Sequence, residues 1–254
     1  MNQNIKQNNM NKHTKQISIK ETKTKYIIIA ALIIITFVLF LCISPCLNVK
    51  NVTEHQLINA GISQCDNLMI VAHPDDETIF GGDHIKNGNY FILCITCGNN
   101  KTRKAEFEKV LKETHCKGII LSYPDKILNK RSDWTFCKNS ISKDICTAIN
   151  SNNWASIVTH NANGEYGHIH HKMLHNIVIN TYDDCYQARE YHPPLYCFAK
   201  YYPKKKLPKD LPSTVSEDSL TQKENLLKVY KSQARTIDKL RHILPYEDFV
   251  LTHN

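Results

Sequence analysis

The chain has 254 residues, 42% of them hydrophobic, with 32 Lys plus Arg against 24 Asp plus Glu. That length can bury a core, and ordinary apolar content with 8 Gly and 9 Pro excludes disorder throughout. The formal charge of +8 does not indicate a nucleic-acid partner: residues 1–25 hold six lysines and one acid and carry +5, leaving +3 for the remaining 229 residues.

That N-terminal tail (Lys6, Lys12, Lys15, Lys20, Lys23 and Lys25 among Asn, Gln and Thr) is expected to be disordered. Tyr26 to Ile43 is an apolar stretch of eighteen residues with Thr36 its only polar interruption. Extended to Leu47, it reaches across a hydrocarbon core of ~30 Å at ~1.5 Å per helical residue. A cleaved signal peptide has an apolar region of only ~7–15 residues, and a buried core helix would be amphipathic. Residues 26–47 therefore read as a single membrane anchor, in the endoplasmic reticulum or another membrane. Six lysines precede it and only Lys50 closely follows, so the positive-inside rule keeps the N-terminus cytosolic and the following domain luminal or exterior.

Residues 48–66 read as a linker, and 67–254 as one compact catalytic domain. Leu68–Ala72 is an apolar run suited to a buried parallel strand, followed by His73-Pro74-Asp75-Asp76-Glu77 and a helix through Ile85. Tyr90–Thr96 is a second strand. Arg103–His115 is a helix with Phe107, Val110, Leu111 and Thr114 on one face. Gly118–Ser122 is a third strand, Ser140–Ile149 a helix, Ser156–Thr159 a fourth strand, His168–Ile179 a helix, and Leu195–Phe198 a last apolar run. Strands alternating with helices at this spacing predict an α/β fold with a mostly parallel sheet, whose chemistry collects beyond the carboxyl ends of the strands. Setting aside Cys42 and Cys46 in the anchor region leaves eight cysteines, an even number that an oxidising compartment would let pair. Cys94 and Cys97 form a CxxC inside an apolar strand with no second CxxC, which favours buried strand cysteines over a zinc ribbon or redox site.

Two clusters carry chemistry, and both follow predicted strands. His73, Asp75, Asp76 and Glu77 crowd three carboxylates and an imidazole together, which is costly without a cation. The bland alternative is a turn and a helix start whose acids complement the macrodipole. The second cluster runs from His160 through Gly164-Glu165-Tyr166-Gly167-His168-Ile169-His170-His171 to His175. On a helix His168, His171 and His175 share a face, which a merely solvated surface would also allow. Both clusters at strand ends of one domain favour a metal site. Imidazole plus carboxylate suits zinc, with Fe²⁺ or Co²⁺ also accommodated.

AHPDDE after a strand, then Gly-His-x-x-His about ninety residues on, resembles the zinc-dependent de-N-acetylases of the LmbE-like family. Its eukaryotic members are the N-acetylglucosaminylphosphatidylinositol de-N-acetylases of GPI-anchor synthesis. The resemblance runs from residue 67 to at least 180, with a weaker match at Tyr230-Lys231-Ser232-Gln233. It implies a Rossmann-like three-layer α/β fold, zinc as cofactor, and an amino-sugar or glycolipid substrate. By the same resemblance His73, Asp76 and His171 are the metal ligands, Asp75 the general base, His168 the assisting histidine and Tyr166 a support for the oxyanion. Arg103 and Asp125 resemble substrate-contacting positions. His170 departs from the Asn usual in GPI-type members, and Gly-Glu-Tyr-Gly looks more like bacterial members. Three protein ligands leave a fourth zinc position for water, whose pKa falls toward ~7 there. Glu77 reads as a helix-start acid or a partner behind the ligands, and His160, His170 and His175 as supporting or exposed, with His175 the reserve ligand. The expectation is a membrane-anchored de-N-acetylase acting on N-acetylglucosaminylphosphatidylinositol. The alternatives are a deacetylase of a soluble or cell-surface amino sugar and an inactive sugar-binding domain.

Overall fold

A computed structural model describes residues 2–86 and 89–253. The chain divides after Pro45 into an N-terminal unit and a compact unit of residues 46–254. Helix α1 runs Asn2–Leu47, taking in the polar tail for which composition predicts disorder; that tail holds neither Gly nor Pro to break a helix. Its stretch Lys23–Leu47, with a mean hydropathy of 3.2, is long and apolar enough to cross a membrane, and its large apolar side chains from Tyr26 to Phe40 are exposed.

Residues 48–66 are not a free linker. Helix α2 (Glu54–Asn59) is capped by Thr53 and Gln56 in a reciprocal capping box, and Leu57 and Ile62 are wholly buried in the core. Apolar residues at 52, 57 and 62 draw the segment onto the domain.

The domain is built from β1 (Asn67–Val71), α3 (Asp76–Ile85), β2 (Tyr90–Thr96), α4 (Lys101–Thr114), β3 (Lys117–Tyr123), a small hairpin β4 (Lys126–Ile127) and β5 (Lys130–Arg131), then α5 (Lys138–Asn150). It continues with β6 (Ser156–Thr159), α6 (Ile169–Tyr186), β7 (Leu195–Phe198), α7 (Glu217–Leu227), α8 (Ala234–Leu240) and β8 (Phe249–His253). The sheet order is β3-β2-β1-β6-β7-β8, parallel except for β8.

Strand residues alternate between two cores. Leu68, Ile70, Phe91 and Leu93 pack under α5 and α6 with Ile141, Ile145, Leu174 and Val178. Met69, Val71, Ile92 and Cys94 pack against Ile79 of α3, Phe107 and Val110 of α4, and Leu227, Ile237 and Leu240 of the C-terminal helices. Both faces are covered, so the strands read as unbroken apolar runs, and three layers result. From β1 the chain moves outward to β2 and β3, then returns past β1 to β6 and on to β7. The order therefore reverses between β1 and β6, and ligands of such sheets bind in the crevice beyond that point.

The structure pairs Cys46 with Cys137, with Cα atoms 5.2 Å apart. By sequence Cys46 falls in the anchor and outside the eight cysteines expected to pair. It lies at the helix end, in the compact unit, buried among core residues, where it meets the start of α5.

Candidate active site

Two segments meet at the reversal: His73–Glu77 after β1, and His160–His171 after β6. Asp76 opens α3 and its carboxylate faces three imidazoles. His73 Nδ1 is 3.1 Å away, His171 Nε2 3.3 Å and His160 Nε2 3.4 Å. His73, Asp76 and His171 are buried, and their ligand atoms lie within 4.8 Å of one another.

Hydrogen bonds fix which nitrogen of each ring is free. The Ser132 carbonyl accepts from His170 Nε2 at 2.8 Å, so His170 Nδ1 is an acceptor for His73 Nε2–H at 3.0 Å. His73 is left with its lone pair on Nδ1, the atom facing Asp76. Glu165 Oε2 accepts from His171 Nδ1 at 2.5 Å, leaving the lone pair on His171 Nε2, which is buried without a hydrogen-bond partner. Such an orphan costs free energy that a cation would remove. An imidazole whose second nitrogen donates to a carboxylate or carbonyl is the usual metal-ligand arrangement. The residues therefore fit a divalent ion.

Glu165 also accepts from His160 Nδ1 at 3.0 Å, and the Ala72 N–H donates to His160 Nε2 at 3.0 Å. Burial opposes a charge on His160 while Glu165 favours one; the Ala72 N–H needs an acceptor there, so the ring is neutral. Glu165 sits at φ 52 between Gly164 (φ 64) and Gly167 (φ 93). A Cβ on Gly164 would meet the His168 carbonyl oxygen at 2.5 Å, so only glycine closes this loop.

Asp75, beside the candidate ligand Asp76, has φ 115, a strained value for a residue with a side chain. Two side chains hold it. Its N–H donates to Glu77 Oε2 at 3.1 Å, while Arg103 Nη2 donates to Asp75 Oδ1 at 3.2 Å and to the Pro74 carbonyl at 2.6 Å. Burial first, and the Asp76 charge second, raise the Asp75 carboxyl well above its ordinary value. Glu77 is fully buried and accepts from Tyr230 Oη and Thr78 Oγ1, each at 2.6 Å. Ser232 donates to Glu106 through its N–H at 2.8 Å and its hydroxyl at 2.5 Å. The Tyr230–Gln233 element thus clamps both the AHPDDE turn and the Arg103–Glu106 turn of α4.

His168 caps α6, its Nδ1 accepting the His170 N–H at 3.2 Å, so its proton is on Nε2. Burial and His73 push this imidazole down to about 2. Its ring lies 4.7 Å from that of His73 and 4.4 Å from that of His171. Tyr166, partly exposed, stands 5.6 Å from the His171 ring, and burial keeps its phenol protonated.

The two residues expected to contact substrate both touch side chains of this cluster. Arg103 is buried against Asp75 rather than open to a ligand. Asp125 is half-buried, 3.4 Å from His73 Nε2 and paired with Arg131; despite burial, His73 and Arg131 hold its carboxyl low. His175, the expected reserve ligand, lies outside the groups of described residues whose ligand atoms come within 4.8 Å of one another, and its Nδ1 faces the His160 carbonyl at 2.9 Å. His160 and His170 are wholly buried rather than exposed, and His170 stacks on Trp134 at 4.4 Å and 6°. Glu165 and Trp134 had no role from the sequence; the two glycines around Glu165 were the available signal for the first.

The family described as PIG-L, GlcNAc-PI de-N-acetylase, matches residues 68–182. An uncharacterized protein of Acanthamoeba polyphaga mimivirus, L374, is 30% identical over 159 residues, covering 54% of this chain and 69% of that protein. The crystal structure of GalB, the 4-carboxy-2-hydroxymuconate hydratase of Pseudomonas putida KT2440, superposes with a TM-score of 0.50 at 13% identity. It covers 70% of this chain and 84% of GalB, a likeness of fold.

Proposed function

Because the chain belongs to the PIG-L (GlcNAc-PI de-N-acetylase) family of the LmbE-like superfamily, we propose that it is a zinc-dependent hydrolase removing acetate from an N-acetylglucosaminyl substrate. The carrying observation is the orphaned His171 Nε2 facing Asp76 and His73, with Asp75 held beside them. Zinc held by His73, Asp76 and His171 would supply Lewis-acid polarisation of an amide carbonyl and of water. Asp75 takes the proton of the water that attacks the acetamide carbonyl. The Arg103 and Glu77 contacts keep its carboxylate in place for that transfer. Tyr166, as a protonated phenol, and His168, through Nε2–H, donate hydrogen bonds to the oxyanion. His168 is neutral at rest, so the proton the departing amine takes is the one Asp75 received. Acetate and a free amino sugar result.

Among substrates, N-acetylglucosaminylphosphatidylinositol is favoured. The segment that brings Asp125 and Trp134 to the site also exposes Leu128 and Phe136, with Lys126 and Lys130 beside Leu128. Apolar tips among lysines suit a lipid with an anionic phosphate. Cys137, next to Phe136, is bonded to Cys46, the first residue of the compact unit. The same disulfide favours a second reading, an amino sugar on the luminal or outer side of a membrane, since disulfides persist in oxidising compartments. A vestigial sugar-binding domain fits poorly with a complete set of His73, Asp75, Asp76, His168 and His171.

The test is acetate release by the full chain in detergent, with zinc, from N-acetylglucosaminylphosphatidylinositol and from simple N-acetylglucosaminides. Asp75→Asn is expected to lower the rate by ~10²–10⁴-fold. Preference for the lipid-linked sugar supports the first substrate, and preference for the simple sugars the second. Stoichiometric zinc with no release from either would overturn the de-N-acetylase reading of this site.

A further inference from the structure

Helices α5 and α6 lie side by side on one face of the sheet, and three contacts four residues apart join them. Ser142 Oγ is 2.8 Å from Thr181 Oγ1, Cys146 Sγ is 3.0 Å from Cys185 Sγ, and Arg189 Nη2 donates to Asn150 Oδ1 at 2.6 Å. The Ser142–Thr181 contact lies one helical turn before the sulfurs on both helices, and Arg189, just past the end of α6, reaches Asn150 one turn beyond Cys146, so polar contacts on either side fix the register at the sulfurs. The sulfurs are about 1 Å beyond the ~2.05 Å of a disulfide bond. Both cysteines are half-buried and so reachable, whereas Cys65, Cys94, Cys97, Cys116 and Cys197 are buried.

We propose that Cys146 and Cys185 are the site of a second disulfide, and that this domain matures in an oxidising compartment. The oxidant is a disulfide, of a protein or of a small thiol such as glutathione. One cysteine thiolate attacks it and forms a mixed disulfide, releasing one reduced thiol. The second cysteine then displaces the other half, so the Cys146–Cys185 bond forms while two electrons and two protons end on the oxidant as two thiols. With Cys46–Cys137 in place, α5 is then tied at its start to the first residue of the compact unit and near its finish to α6. Helix α6 carries His171, so the second bond steadies the helix that presents a ligand. The compartment is the one the lysine bias before the apolar helix predicts. An oxidising compartment favours the second of the two substrate readings above, an amino sugar on the luminal or outer side of a membrane.

The test uses the full chain, with its own N-terminus, made in a eukaryotic cell and lysed into N-ethylmaleimide. Cleavage after Lys143, Lys172 and Arg189 puts the two cysteines on separate peptides, and mass spectrometry without reduction reads their linkage. The expected result is a linked pair two hydrogens lighter than the free peptides, lost on reduction and absent in Cys185→Ser. Maleimide on both Cys146 and Cys185 in a sample that holds the Cys46–Cys137 link would overturn the second disulfide. Maleimide on all four would overturn the compartment as well.

Discussion

At the scale of single residues, Glu165 does more than its place in the sequence suggests. One carboxylate oxygen accepts from both His171 and His160, so it sets the tautomer of a ligand and of the ring stacked on that ligand at 3.8 Å. Glu165→Gln keeps the shape but replaces a charged acceptor with an amide. Zinc affinity is expected to fall ~10–100-fold, measured by competition with a chelator, and activity to recover at high zinc. Loss of activity that zinc does not restore would mean that Glu165 serves folding instead. His73, Asp75, Asp76, His168 and His171 were legible because each sits in a short motif beside a strand end. Glu165, His160 and the His170–Trp134 stack were not, because their partners come from loops whose course depends on positive φ at Gly164 and on contacts between distant segments.

At the scale of elements, the last third of the chain acts as a brace. Lys223 of α7 donates to Glu247 at 2.6 Å and to the Leu244 carbonyl at 3.2 Å, both deep in the protein. Glu247 accepts as well from the N–H groups of Asp83 and His84 and from His84 Nδ1 at 2.6 Å, tying α3 to the turn before β8. Burial lowers the Lys223 pKa, while the surrounding donors, Lys223 foremost, outweigh burial for Glu247 and hold it at about 2. An unfolded glutamate titrates near ~4.3, so between these values the unfolded chain binds more protons than the folded one. Stability from Glu247 is therefore full above the unfolded value and is lost as pH falls toward 2, by about 3 kcal/mol at most. Urea unfolding between pH 6 and pH 3 checks this: Glu247→Gln should flatten the acid loss and start from lower stability. The strands Tyr90–Thr96, Ser156–Thr159 and Leu195–Phe198 were legible as apolar runs bounded by polar residues, because both faces are covered. The final edge strand was not, since Val250 and Leu251 are exposed and leave no buried pattern to read.

At the scale of the whole molecule, the sequence separates an apolar helix from a compact domain, and the structure pairs two cysteines of the compact unit that lie far apart in sequence. Cys46 ends the apolar helix and Cys137 begins α5, so the bond spans 91 residues and encloses β1, β2 and β3. A spacing pattern could not reveal this, because proximity of the two cysteines exists only once the sheet is formed. Closing a loop of that length removes many unfolded conformations, worth roughly 4–5 kcal/mol by chain entropy. Replacing both cysteines by serine avoids a stray thiol and should lower stability by that order, read as a fall in Tm. Adding a reductant to the unmodified chain should lower its Tm as well, and should leave the serine variant changed only by whatever the Cys146–Cys185 pair contributes. If the serine variant melts with the unmodified chain, the bond is absent in the folded protein. The segment holding Asp125 and Trp134 is then positioned by noncovalent contacts, among them the Arg131–Asp125 pair, the Trp134 Nε1–H to the Pro124 carbonyl at 2.9 Å and the Trp134–His170 stack.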